Sequence, residues 1–78
     1  MLIPMVDMKH TGENIVSLRR RKGLTVRDIQ RLLGFTTPQA IYKWQRGETL
    51  PTIENLAALA CILCVPIEEI LAVECRGA

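Results

Sequence analysis

A chain of 78 residues, 49% of them apolar and with a formal net charge of +2, has room for a single small domain. It holds no uninterrupted run of about 18 apolar residues, which argues against a membrane span, and its opening MLIPMVDM is too short and broken for a signal peptide. Three cysteines, Cys61, Cys64 and Cys75, are odd in number and follow no framework spacing, so the expectation is a soluble protein of the reducing cytoplasm.

Residues 1–10 show no period and read as an extended or loosely packed arm before a domain at residues 11–73. Over residues 12–22, Ile15, Leu18 and the aliphatic stem of Lys22 share one side, as a helix requires. Basic residues crowd the C-terminal end of this segment, where they complement the helix dipole, and Gly23 stops it. Thr25 then precedes VRDIQRLL, with Asp28 three positions on completing a capping box. Val26, Ile29, Leu32 and Leu33 carry the apolar spacing of a short second helix, which Gly34 ends.

Thr37-Pro38 reads as an N-cap followed by proline at the first helical position, where the missing N–H costs nothing. A third helix over residues 38–46 follows, stopped by Gly47. Leu50-Pro51-Thr52 is a loop and cap, and IENLAALACILC is a fourth helix expected to turn Ile53, Leu56, Ala57, Ala60 and Leu63 inward. Val65-Pro66 breaks it, and Pro66 opens a fifth short helix to about Leu71. Residues 74–78 read as a frayed, flexible tail. With no strand pattern and no repeat, the predicted class is all-α, with five short helices.

The CILC pair has the spacing of a redox or metal motif, but it sits in an apolar stretch of helical period, where a thiol is a small buried hydrophobe. A zinc site wants four ligands, and the other candidates, Cys75 and His10, lie at opposite ends of the chain. No metal and no cofactor are therefore expected.

The small net charge conceals a segregation. Residues 19–46 hold Arg19, Arg20, Arg21, Lys22, Arg27, Arg31, Lys43 and Arg46 against Asp28 alone, +8 and −1. The rest of the chain holds Lys9 and Arg76 against Asp7, Glu13, Glu48, Glu54, Glu68, Glu69 and Glu74, +2 and −7. A one-sided basic segment is the footprint of a polyanion partner. Solvated helix faces would account for the charges but not for their segregation.

At about 100° per residue the third helix divides into two faces. Thr37, Ile41 and Trp44 fall on one side, and Gln39, Tyr42, Lys43 and Arg46 on the other. The second set suits the major groove of DNA: Gln can bond bidentately to adenine, Lys can donate to guanine, and Tyr can meet a thymine methyl or a phosphate. Thr36, Thr37 and the amides at the helix start can hold a backbone phosphate. An ordinary polar outer face is the alternative, and the surrounding charge disfavours it.

The run SLRRRKGLT, the turn RLLGF, the segment IYKWQRG, the entry LPTIENLAALA and the closing VPIEEIL together resemble a Cro/repressor-type (XRE family) helix-turn-helix domain over residues 12–71. The resemblance implies a compact five-helix, lambda-repressor-like bundle whose third helix enters the major groove. It implies base contacts from Thr37, Gln39, Tyr42 and Lys43 and phosphate contacts from Lys22, Arg27, Thr36 and Arg46. Double-stranded DNA is the implied partner, bound by a homodimer on paired half-sites, with no membrane and no small-molecule ligand.

The chain departs from the family pattern at several positions. Val26 stands where many members carry Gln, so that contact is missing. Gln30 replaces a common Ala, and the turn GFTTPQ is one residue longer, which gives Gln30 room and shifts the recognition register by one position. Gln45 replaces a common Glu, which predicts an Arg19–Gln45 hydrogen bond in place of an ion pair.

The leading function is a sequence-specific, double-stranded DNA-binding transcriptional regulator. A protein-interaction or antitoxin-like module of the same fold is the alternative, supported by Val26 and the arm. Catalysis is not expected, because the chain has one His, no Cys–His proximity in sequence and no phosphate loop. Ile62, Ile67 and Val73 are candidates for the dimer surface.

Overall fold

Asp7, in an extended conformation, accepts the His10 N–H at 2.9 Å and so caps helix α1, Met8–Lys22. The computed structural model, which describes residues 2–77, thus begins this helix at Met8 and not at Gly12. The cap sets the start, although Met8-Lys9-His10 shows no apolar period. Thr11, Gly12, Ile15 and Leu18 face inward, while Lys22, expected to lay its stem on the core, is exposed.

Helix α2, Val26–Leu33, opens on the expected capping box. Thr25 Oγ1 accepts the Asp28 N–H at 3.0 Å, and the Asp28 carboxylate accepts the Thr25 N–H at 2.8 Å. The Thr25 main-chain N–H, then its hydroxyl and the Arg31 guanidinium hold the Asp28 carboxyl below its ordinary value, outweighing a small opposing effect of burial. The box is therefore at full strength at neutral pH. Val26 and Ile29 are buried, but Leu32, expected inward, is 62% exposed because Leu33 fills the inward place at the end of this short helix.

Helix α3, Gln39–Gln45, contributes Ile41 and Trp44 to the core. Thr52 Oγ1 accepts the Asn55 N–H at 3.2 Å and caps α4, Ile53–Leu63, and α5, Ile67–Ile70, follows Pro66. The inward face of α4 is Leu56, Leu59 and Leu63, with Ala60 partly buried against it. The expected Ile53 and Ala57 are instead exposed, Ile53 at 86%.

That rotation of the α4 face also reverses the reading of the cysteines. Cys61 and Cys64 are exposed, not buried. Among the described residues, no group of His, Cys, Asp and Glu could hold a metal ion. Cys64 caps α4 at φ 57°, and among the described residues it is the non-glycine residue at positive φ. An L side chain there costs about 1–2 kcal/mol, so Cys64→Gly is expected to raise the unfolding free energy by roughly 1 kcal/mol. Chemical denaturation measures this, and a loss of stability would contradict the assigned cap.

The chain's two ends meet. Leu2–Val6 forms strand β1, antiparallel to β2, Val73–Gly77, with Leu2 opposite Gly77 and Val6 opposite Val73. Within the expected arm, residues 2–6 are thus a strand and residues 8–10 belong to α1. Residues 74–77 of the tail expected to fray are in the partner strand, Met1 and Ala78 lying outside the described residues, so the helical fold carries a two-stranded ribbon. The Asp7 N–H donates to the Ala72 carbonyl at 2.9 Å in the same register. Alternation along the ladder then makes Ile3–Arg76 and Met5–Glu74 the hydrogen-bonded pairs. Pro4, opposite Cys75, turns its nitrogen to the outer edge of β1, where the missing N–H breaks no bond of the ribbon.

The helical body holds the ribbon by its base. The Ala72 N–H donates to the hydroxyl of buried Thr11 at 2.9 Å, and Asn14 Nδ2 donates to the Ile70 carbonyl at 3.0 Å. None of the helices among the described residues is long and apolar enough to cross a membrane.

Candidate nucleic-acid interface

Helices α2 and α3 are joined by residues 34–38, opening with Gly34 at φ 74°. Gln30 spans this connection. Its carbonyl accepts the Phe35 N–H at 3.0 Å, and its Nε2 donates to the Phe35 carbonyl at 3.3 Å. A side chain that would crowd a tighter turn here ties the longer one together. Phe35 then packs edge-on against Trp44, with ring centroids 5.8 Å apart and planes at 66°. Both aromatics flanking the exposed face therefore anchor α3 to the core.

The proline sits one place earlier in the helix than expected. Pro38 is the N-cap, its carbonyl accepting the Tyr42 N–H at 3.1 Å, and the first helical residue is Gln39. Thr37 makes no capping hydrogen bond and is exposed, so it leaves the core side to which the helical period had assigned it. The helix ends at Gln45 with Arg46 as its cap.

Tyr42 and Lys43 stand three and four residues after Gln39, Arg46 stands four and three after them, and all four are exposed, Tyr42 at 42%. The opposite face, Ile41 at 0% and Trp44 at 4%, is buried. Thr36 and Thr37 lie exposed at the entrance to this face, and Arg27 is exposed in the first turn of α2. Lys22 is exposed in the last turn of α1, on a different element from the rest. Arg46 is held by Glu48 in an ion pair that the sequence reading missed, although a spacing of two residues across the Gly47 turn was a usable signal.

Two glycines and one arginine fix α3 against α1. A Cβ at Gly12 would collide with the Trp44 carbonyl oxygen and stand 2.6 Å from that of Gln45. Gly47, at φ 75°, would put a Cβ 2.8 Å from the Lys9 Cα. Only hydrogen fits at either point. Arg19 Nε donates to Gln45 Oε1 at 3.1 Å, the predicted bond, and its Nη1 donates to the Leu24 carbonyl at 3.0 Å. The result is a polar, basic helix face on a rigid mount.

The helix-turn-helix family profile matches residues 15–70. A comparison with curated proteins returns no match. Among solved structures, the restriction-modification controller protein C.AhdI from Aeromonas hydrophila is 25% identical, with a TM-score of 0.74, covering 82% of this chain and 96% of that one. The S. venezulae BldD DNA-binding domain is 24% identical, with a TM-score of 0.70, covering 83% and 96%. The clp gene regulator ClgR from C. glutamicum is 22% identical, with a TM-score of 0.71, covering 81% and 80%. With the family profile spanning most of the described residues and these folds superposing on it, the chain belongs to the Cro/repressor-type (XRE) helix-turn-helix family.

Proposed function

We propose that this chain is a transcriptional regulator that reads double-stranded DNA with α3 in the major groove, working in the cytoplasm as a homodimer on paired half-sites. The observation that carries the reading is the α3 face: Gln39, Tyr42, Lys43 and Arg46 stand exposed on a helix whose other side is buried at Ile41 and Trp44. Gln39 bonds an adenine edge, Lys43 donates to guanine acceptors, Tyr42 sets its ring against a thymine methyl, and Thr37 reaches the base at the helix entrance. Lys22, Arg27, Thr36 and Arg46 contact phosphates and set the register without reading sequence. Arg46 exchanges its Glu48 partner for phosphate. No cofactor takes part.

Selection of bound fragments from a random DNA pool tests the proposal. The expected result is one enriched motif that repeats with two-fold symmetry about one helical turn apart. Binding that enriches no motif and vanishes only as salt rises would overturn sequence-specific recognition, since phosphate contacts alone behave in that way.

A further inference from the structure

The ribbon at the chain ends is not used by the DNA-reading face, and its two edges differ. On β1 the residues whose main-chain groups point outward are Leu2, Pro4 and Val6, and Pro4 has no N–H to offer. A proline at the centre of a five-residue edge blocks strand addition. On β2 the outward residues are Val73, Cys75 and Gly77, all exposed, each with an N–H and a carbonyl. Among the described residues, no hydrogen bond from elsewhere in the chain reaches them.

Resting on the homodimer reading above, we infer that the outer edge of β2 is the surface on which a second copy of this chain docks, β2 against β2, to make a four-stranded sheet. The segment VECRG is complementary to itself in the antiparallel sense. With Cys75 on the two-fold axis opposite its own counterpart, Val73 faces the second copy's Gly77 in hydrogen-bonded pairs. In that same register Glu74 stands opposite Arg76 of the second copy, and Arg76 opposite its Glu74. Oppositely charged residues directly across an antiparallel pair attract, and like charges there repel.

The faces agree as well. Leu2, Pro4, Val6, Val73 and Cys75 share one apolar face of the ribbon, with Val73 56% and Leu2 66% exposed. Two-fold pairing brings the apolar faces of both copies to the same side of the sheet. A two-stranded ribbon is marginal in water, and four strands are not. Because Pro4 closes each outer edge, the assembly stops at two copies and does not grow into a fibre. Of the three candidate dimer residues named from the sequence, Ile62 and Ile67 pack partly buried against the core, and Val73 is the exposed one.

Sedimentation equilibrium of the full chain tests this with two kinds of variant. Cys75→Pro removes an outward N–H, as Pro4 does, and leaves every β1–β2 bond in place. It is expected to weaken self-association at least about 100-fold while keeping the helical circular dichroism and the affinity for a single DNA half-site. Glu74→Arg should likewise separate the copies, and Glu74→Arg with Arg76→Glu should restore the pair, because the charges again alternate across the axis. Should Cys75→Pro lose its helical signal, the charge exchange alone decides. A native chain that dimerises indifferently to all three variants overturns this surface and leaves the homodimer reading standing. A native chain that stays monomeric at every concentration, free and on paired half-sites, overturns both.

Discussion

Gly12→Ala is expected to cost the protein about 3 kcal/mol or more of its unfolding free energy. In an isolated helix the change would gain close to 1 kcal/mol, because Ala is the better helix former. Here the added Cβ meets the Trp44 and Gln45 carbonyl oxygens, which are main-chain atoms with no rotamer to turn away. Overpacking typically costs 1–3 kcal/mol, and the upper end applies when backbone must move. A domain of this size has a total stability of only about 4–12 kcal/mol, so the substitution consumes a large share of it. The α3 mount shifts with it, and DNA affinity falls in the same variant. Urea denaturation measures the first effect. A midpoint unchanged from the native chain would mean that α1 and α3 do not cross at this residue.

The second large effect is at the DNA. Replacing Gln39 and Lys43 together by Ala should lower affinity for a single selected half-site by about 2–6 kcal/mol, the sum of two base contacts at roughly 1–3 kcal/mol each. Both side chains are exposed, so the fold should survive, with the helical signal and denaturation midpoint unchanged. Binding to unrelated DNA should fall much less, by the one phosphate-attracting charge that Lys43 supplies. Equal losses on selected and unrelated DNA would remove α3 from the role of sequence reader. The two substitutions are thus opposites: one spares the reading face and breaks its mount, and the other does the reverse.

The sequence made α2 and α3 legible because their signals are local. Thr25 and Asp28, the glycines after α1 and α2, and the division of Ile41 and Trp44 from Gln39, Tyr42 and Lys43 all act within one or two turns of helix. The Arg19–Gln45 bond was also foreseen, from the way Gln45 departs from the family pattern. Other features depended on partners distant in sequence. Gly12 looked like a helix start because nothing beside it announces that the backbone of residues 44 and 45 lies against it. The facing of α4 was misread because Ile53 and Ala57 satisfy the helical period as well as Leu59 does, and only the position of the rest of the core chooses between them. The ribbon was missed because Leu2–Val6 is apolar on both faces and so lacks alternation, and its partner lies at the far end of the chain. Asp7, by contrast, was an available N-cap signal that went unused.

The pairing of Leu2 with Gly77 has a consequence for the order in which the chain assembles. Closing a loop that runs from residue 2 to residue 77 carries a larger entropy cost than closing the short loops between neighbouring helices and turns. The ribbon is therefore expected to form late, after α1 and α5 have brought Thr11 to Ala72 and Asn14 to Ile70. It is also the first part to open when that joint loosens. An incompletely folded chain has no β2 edge to present, so under the pairing proposed above a nascent or damaged copy would be excluded by its own topology, without any separate device to recognise it.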